Sequence, residues 1–213
     1  MDTMTEHEPK ERIIDLAREK FFQSGFNKVT VDEISGDLGI SKKTMYKFFP
    51  SKEDLVRTMM RMFMKKVEGR MLKIYESDKS VVQKLAEIML FIGNVAGKIS
   101  RPFQMDIQRF LPQLWKEVDK FRTEMILSKL SRLITQAKTE GAFREDVNEQ
   151  VVLLMFLNSV QSIVNPEVLS KNSFSPKEAM YTIFHVIFEG SLTEKAREEF
   201  KQVELSISNQ ELI

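Results

Sequence analysis

The chain has 213 residues, with 32 Lys and Arg against 31 Asp and Glu, a net charge of +1, 42% hydrophobic residues and no cysteine. That length holds one small domain beside a larger one, with ample core, and the composition is that of a globular protein. The missing cysteines exclude disulfides, thiolate catalysis and cysteine-ligated metals, and fit a reducing cytoplasm. Residues 1–11 lack the apolar core of a secretory signal, and the longest apolar run, at 151–157, is too short to span a bilayer. A cytoplasmic protein without a membrane segment is expected.

Residues 1–9, which include His7, read as a disordered polar leader. A first helix follows, its apolar stripe made by Ile13, Leu16, Ala17 and Phe21 and its end marked by Gly25. The segment TVDEISGDLGISKKTMYKFFPSK, residues 30–52, then carries most of the functional signal. Thr30 and Glu33 have the spacing of a capping box, Gly39 falls where a helix must stop, and Ser41 can cap a second short helix. Ile34, Leu38, Ile40, Met45 and Phe48 can share one small core. Lys42, Lys43, Thr44, Tyr46 and Lys47 are left on the outer face of the second helix. From Ser41 to Lys52 there are lysines and no acid, although the whole chain is nearly neutral. Positive charge gathered on one helix of a tight helical pair is the pattern of a helix-turn-helix whose second helix enters the DNA major groove.

Residues 12–55 resemble the DNA-binding domain of the tetracycline-repressor (TetR) family of bacterial regulators. The resemblance rests on Ala17 and Phe21, on Gly25 and Phe26, on TVDEI at 30–34 and on GISKKTMYKFFPSKEDL at 39–55. Lys43 departs from the pattern, since the family often has a small residue there, and a long cation can reach a phosphate or a guanine edge that a small residue cannot. The resemblance implies a dimeric operator-binding protein, with the last two main helices of each subunit forming a four-helix bundle.

Ser51 begins a long helix to about Tyr75. Ser80 with Gln83 opens another, bearing Leu85, Ile88, Met89, Ile92 and Val95. Pro102 and Pro112 bracket a short helix, and a long one is predicted from Pro112 to Gly141. Asp146 with Glu149 starts the next, which runs to about Asn165. Ser175, Pro176 and Glu178 open a helix to about Glu189, and a last helix spans roughly Glu194 to Val203 before a loose tail. The predicted fold is all-α: an N-terminal three-helix helix-turn-helix domain joined by a continuous helix to a larger helical ligand-binding and dimerisation domain. The boundaries are a leader at 1–9, the DNA-binding domain at 10–53, the effector-binding and dimerisation domain at 54–205 and a tail at 206–213.

Enzymatic chemistry finds no support in the motifs. Nothing resembles a nucleophile elbow, a phosphate-cradling glycine loop or a metalloprotease helix, and no cofactor or metal is expected. His185, amid Ile183, Phe184, Val186, Ile187 and Phe188, reads as a hydrogen-bonded core or interface histidine with few carboxylates nearby.

The 13 methionines and 16 phenylalanines make a soft apolar interior suited to an adaptable pocket. Asn158, Gln161 and Ser162 share a helix face, either as satisfied polar groups at a dimer seam or as a pocket wall. Candidate ligand-binding residues are Met89, Phe103, Ile107, Met125, Asn158 and Gln161. Helices apolar on more than one side, at 151–164 and 180–188, suggest burial against a second layer. Candidate dimer-interface residues are Met155, Val160, Phe184, His185 and Phe188. Candidate DNA-binding residues are Thr30, Ser41, Lys42, Lys43, Thr44, Tyr46, Lys47 and Lys52. Lys42, Lys43 and Thr44 are expected at base edges, with Thr30, Tyr46, Lys47 and Lys52 on the phosphate backbone.

The expected function is that of a homodimeric regulator, a repressor of a palindromic double-stranded DNA operator released by a small apolar or amphipathic effector. The alternative is a constitutive DNA-binding protein whose large domain only dimerises.

Overall fold

The computed structural model describes residues 3–210. Its helices follow in chain order as α1 (Thr3–Ser24), α2 (Val31–Asp37), α3 (Lys42–Phe48), α4 (Lys52–Tyr75), α5 (Val81–Lys98), α6 (Arg101–Phe110) and α7 (Pro112–Met125). After a π-helical turn at Ile126–Leu130 come α8 (Ser131–Thr139), α9 (Glu149–Ile163), α10 (Pro166–Lys171) and α11 (Pro176–Phe184). A second π-helical turn at His185–Glu189 and α12 (Glu194–Gln210) complete the order. Among the described residues the only β feature is an isolated antiparallel bridge between Phe143 and Leu192. The fold is all-α, as the apolar periodicity predicts.

Most boundaries obey their local chemistry. At α5 the Gln83 N–H donates to Ser80 Oγ and the Ser80 N–H donates back to Gln83 Oε1, both at 3.1 Å. At α11 the Glu178 N–H donates to Ser175 Oγ at 3.1 Å and the Ser175 N–H to Glu178 Oε2 at 2.6 Å, with Pro176 in the first turn.

Other boundaries differ from the sequence reading. Helix α1 already begins at Thr3, and α12 continues to Gln210 rather than ending near Val203. The side chain of His7, residues 1 and 2 and residues 211–213 lie outside the described part. The cap of α9 is Asn148, whose Oδ1 accepts from the Gln150 and Val151 N–H groups, whereas Asp146 pairs with Arg144. The helix expected from Pro112 to Gly141 is interrupted at Ile126, where π-helical bonding accommodates an extra residue in the turn. Asn165 and Pro166 do more than end α9: Asn165 Oδ1 accepts from the Val168 N–H and starts the short α10.

The chain forms two compact units. The first holds residues through Val67 together with Lys98–Val118, and the second holds Glu68–Gly97 and the chain from Asp119 onward. The first has a core in which Phe21, Ile34, Met45, Leu55 and Leu114 are at most 1% exposed. The second centres on aromatic packing. Phe184 stacks on Phe188 at 4.4 Å between ring centres, and Phe156 meets both rings edge-on at 5.7 and 5.2 Å. Truncating a ring buried this completely costs about 3–5 kcal/mol, so these phenylalanines hold the second unit together from within.

Candidate nucleic-acid interface

Helices α2 and α3 form a helix-turn-helix whose ends are closed by side-chain caps and a glycine turn. Thr30 Oγ1 accepts from the Glu33 N–H at 3.1 Å. The reciprocal half of the expected capping box does not form, because the Glu33 carboxylate turns instead to Lys20 of α1 at 2.7 Å. Lys20 also binds Asp37 at 2.7 Å, so one lysine ties both ends of α2 to α1. Its ammonium is held above the ordinary value by its hydrogen bonds to Asp37 and Glu33. At the other end of α2 the Gly39 N–H reaches Gly36 O and the Ile40 N–H reaches Ser35 O, both at 3.0 Å. That pair of bonds closes a helix through a left-handed residue, and Gly39 has φ +65°.

Ser41 caps α3, its Oγ accepting from the Thr44 N–H at 3.0 Å and lying 2.9 Å from Thr44 Oγ1. Met45 is buried at 1% exposure and anchors α3 to the core. The opposite face carries Lys42, Lys43, Tyr46 and Lys47, all exposed, with Thr44 half-buried beside them. Lys42 bonds Asp32 of α2 at 2.7 Å, and that hydrogen bond raises the affinity of its ammonium for the proton. Lys43 and Lys47 carry no ion pair among the described residues, so they present uncommitted charge.

Lys52, at the start of α4, behaves differently from the other lysines. Its Nζ lies 4.4 Å from the centre of the Phe26 ring, and burial lowers its ammonium below the usual lysine range, against the pull of Glu53 and Asp106. Sequence reasoning treats it as one more surface cation. The aromatic partner is 26 residues away, and no local pattern signals it.

The structure does not gather the candidate ligand-binding residues. Phe103 and Ile107, each 2% exposed, belong to the core of the first unit, where Phe103 meets Phe22 edge-on at 5.1 Å. Met89, Met125, Asn158 and Gln161 belong to the second unit. Met89 is buried at 2% and Met125 is half-buried. Asn158 is exposed and its amide donates to Leu154 O of its own helix at 2.8 Å, so it does not line a wall with Gln161. Gln161 Nε2 instead donates to Thr123 Oγ1 of α7 at 3.1 Å.

The candidate interface residues divide as well. Val160, Phe184 and Phe188 are buried within the protomer, so their surfaces are already covered. Met155 is 52% exposed, and beside it the structure exposes Val151, Leu154 and Val186, which the sequence reading does not single out. Val151, Leu154 and Met155 follow the helical spacing i, i+3, i+4 and form one apolar stripe on α9. His185 has more acidic company than its neighbours in sequence suggest. Its Nδ1 lies 3.2 Å from Glu189 and its Nε2 3.1 Å from Glu204 of α12, and Lys201 also pairs with Glu189.

A capped helix pair with an exposed basic face is the arrangement of a helix-turn-helix DNA-binding head. Residues 13–59 match the family of bacterial regulatory proteins called the tetR family. The match covers the helix-turn-helix head, from within α1 to the first turns of α4. It is 24% identical over 169 residues to the uncharacterized HTH-type transcriptional regulator YvaF of Bacillus subtilis, covering 79% of this chain and 87% of that one. It is 24% identical over 148 residues to the HTH-type transcriptional repressor KstR2 of Mycolicibacterium smegmatis, covering 67% and 71%. The regulator FadR from Bacillus subtilis, solved in complex with stearoyl-CoA, shares the fold with a TM-score of 0.59 at 18% identity, over 84% of this chain and 98% of that one. No helix among the described residues is long and apolar enough to cross a membrane.

Proposed function

We propose that the protein is a cytoplasmic, homodimeric repressor that binds a near-palindromic operator and is released by an amphipathic small molecule. The observation that carries the DNA-reading part is the α3 face, where Lys43 and Lys47 stand exposed without an ionic partner among the described residues. Lys43 and Thr44 read base edges, joined by Lys42 once it exchanges Asp32 for DNA. The exchange is cheap because the pair is exposed on both sides. Tyr46, Lys47 and the α2 N-terminus behind Thr30 hold phosphates, with Ser41 fixing the start of α3. Lys52 contributes to the backbone field from its place over Phe26.

Dimerisation uses the exposed stripe of Val151, Leu154 and Met155 with Val186. A contiguous apolar stripe of this kind suits an isologous contact with a second copy, and a single helix-turn-helix per chain needs one to read two half-sites.

Effector binding belongs to the second unit, with Met89, Met125 and Gln161 as its candidate contacts. Long-chain acyl-CoA is the first ligand class to test, because a relative of the same fold was solved with stearoyl-CoA. Stearoyl-CoA, coenzyme A alone and stearate are added to the operator complex while release and melting temperature are followed. Release by stearoyl-CoA supports the reading. Neither release nor a melting shift with a broad panel of apolar ligands leaves a constitutive DNA-binding protein whose second unit only dimerises.

A further inference from the structure

We infer that Asp106 of α6 is a positioning residue of the DNA-reading head, holding the turn between α1 and α2 and thereby setting where the α2 N-terminus meets DNA. The inference rests on the reading of α2 and α3 as that head. Asp106 Oδ2 accepts the Asn27 N–H at 2.7 Å, across 79 residues of chain and three positions before the Thr30 cap. The same stretch of chain makes a second backbone anchor just upstream, where the Ser100 N–H donates to Phe22 O at 2.9 Å. Between these two bonds Phe103 packs edge-on against Phe22 and is 2% exposed. All these groups lie in the first compact unit.

Gly25 shows how closely the two segments are fitted. It has φ +92°, and a Cβ placed on it would stand 2.8 Å from Asp106 Oδ2 and 3.2 Å from Pro102 Cβ. A side chain at this position is therefore opposed both by the backbone conformation and by α6 itself. Asp106 has a favourable electrostatic interaction with Lys52, but its other surroundings oppose an acid. The end of α1 bears the partial negative charge of a helix C-terminus, and a carboxylate near a DNA-binding surface repels phosphate. What Asp106 supplies is a charged acceptor for a backbone N–H that has left its helix, a bond stronger than one to a neutral oxygen. Because Asn27, Lys28 and Val29 lead directly into the Thr30 cap, fixing Asn27 restricts the entry of α2.

Positioning and charge predict opposite signs, which makes the test decisive. Full-length Asp106→Ala, Asp106→Asn and wild-type proteins are compared for binding to the selected operator and to random DNA across a salt series, with amide hydrogen exchange of the free proteins. Asp106→Ala should weaken operator binding by about tenfold, with an unchanged salt slope and faster exchange at the Asn27 amide. Asp106→Asn keeps an acceptor oxygen and should recover most of the operator affinity. If both variants instead bind all DNA more tightly, Asp106 acts only as a negative charge and the inference is wrong. It is equally wrong if the loss in Asp106→Ala matches the fraction of protein that thermal melting shows to be unfolded. Failure of the head itself would appear separately, as a wild-type protein whose DNA binding is insensitive to Lys43→Ala and Lys47→Ala.

Discussion

The Lys52 ammonium sits 4.4 Å from the centre of the Phe26 ring, over an aromatic side chain that is itself only 6% exposed. This contact fastens the first turn of α4 to the turn that follows α1. A cation over an aromatic face contributes about 0.5–1 kcal/mol at a partly exposed site. Lys52 is thus occupied in the free protein in a way that Lys43 and Lys47 are not. Lys52→Ala should lower the melting temperature modestly and change the salt slope of DNA binding less than Lys47→Ala does. Removing one lysine that neutralises a phosphate should reduce that slope by about 0.9. Equal slope changes for the two variants would make Lys52 a full phosphate ligand despite its stacking.

Asp32 restrains Lys42 at 2.7 Å across the turn of the helix pair. Asp32→Asn removes an acid from the reading face and frees a lysine, so both operator and random DNA should bind more tightly, and the salt dependence should steepen. Folding stability should barely move, because the pair is solvated on both sides. Weaker operator binding would instead mean that the Asp32–Lys42 bond is part of the geometry that reads DNA.

Lys43→Ala should cost about 1–3 kcal/mol at the operator and relax preference at one or two base pairs, as expected for a residue at a base edge. Competition binding against single-base operator variants measures this. An equal loss on operator and random DNA would reassign Lys43 to phosphate.

The exposed stripe and the buried rings of the second unit separate assembly from folding. Leu154→Glu should break the dimer in analytical ultracentrifugation while each protomer stays folded, since Leu154 is 52% exposed. Phe188→Ala, at a ring with no exposure, should cost about 3–5 kcal/mol of folding stability. A dimer that survives Leu154→Glu would show that the second copy docks elsewhere.

Acid should loosen α12. Burial pushes the Glu189 carboxyl up, but its bonds to Lys201 and His185 outweigh this and hold it below its ordinary value of 4.5. A depressed carboxylate adds stability that is complete above its unfolded value and drains away as the pH falls through its lower folded value. Amide exchange along α12 should therefore accelerate below about pH 4.5, and Glu189→Gln should flatten that response. Exchange independent of pH in the wild type, after correction for intrinsic rates, would contradict it.

The features legible in the sequence are those whose cause is local. Thr30, Ser41 and Gly39 announce the helix pair because caps and left-handed turns depend on residues within three positions of one another. Ser80 with Gln83 and Ser175 with Glu178 are legible for the same reason. Features that depend on distant packing are not. Nothing near Asp106 indicates that it reaches back 79 residues to Asn27, and nothing near Lys52 marks Phe26 as its partner. The apolar runs of α9 and α11 mislead in a specific way. Hydrophobicity on several sides points to a partner subunit at Phe184 and Phe188, whereas the protomer's own Phe156 and Phe200 cover those rings. The face left uncovered belongs to Val151, Leu154 and Val186, which only the three-dimensional packing could single out.

The central claim is that α3 reads a DNA sequence and that two copies do so together. Selection of bound sequences from random DNA, followed by footprinting of the full-length protein on the winning sequence, tests both parts at once. The account predicts two inverted half-sites whose centres lie about 34–36 Å apart, or a multiple of that helical repeat, protected together by a dimer. A single asymmetric half-site protected by one protomer, or no enriched sequence at all, would contradict it.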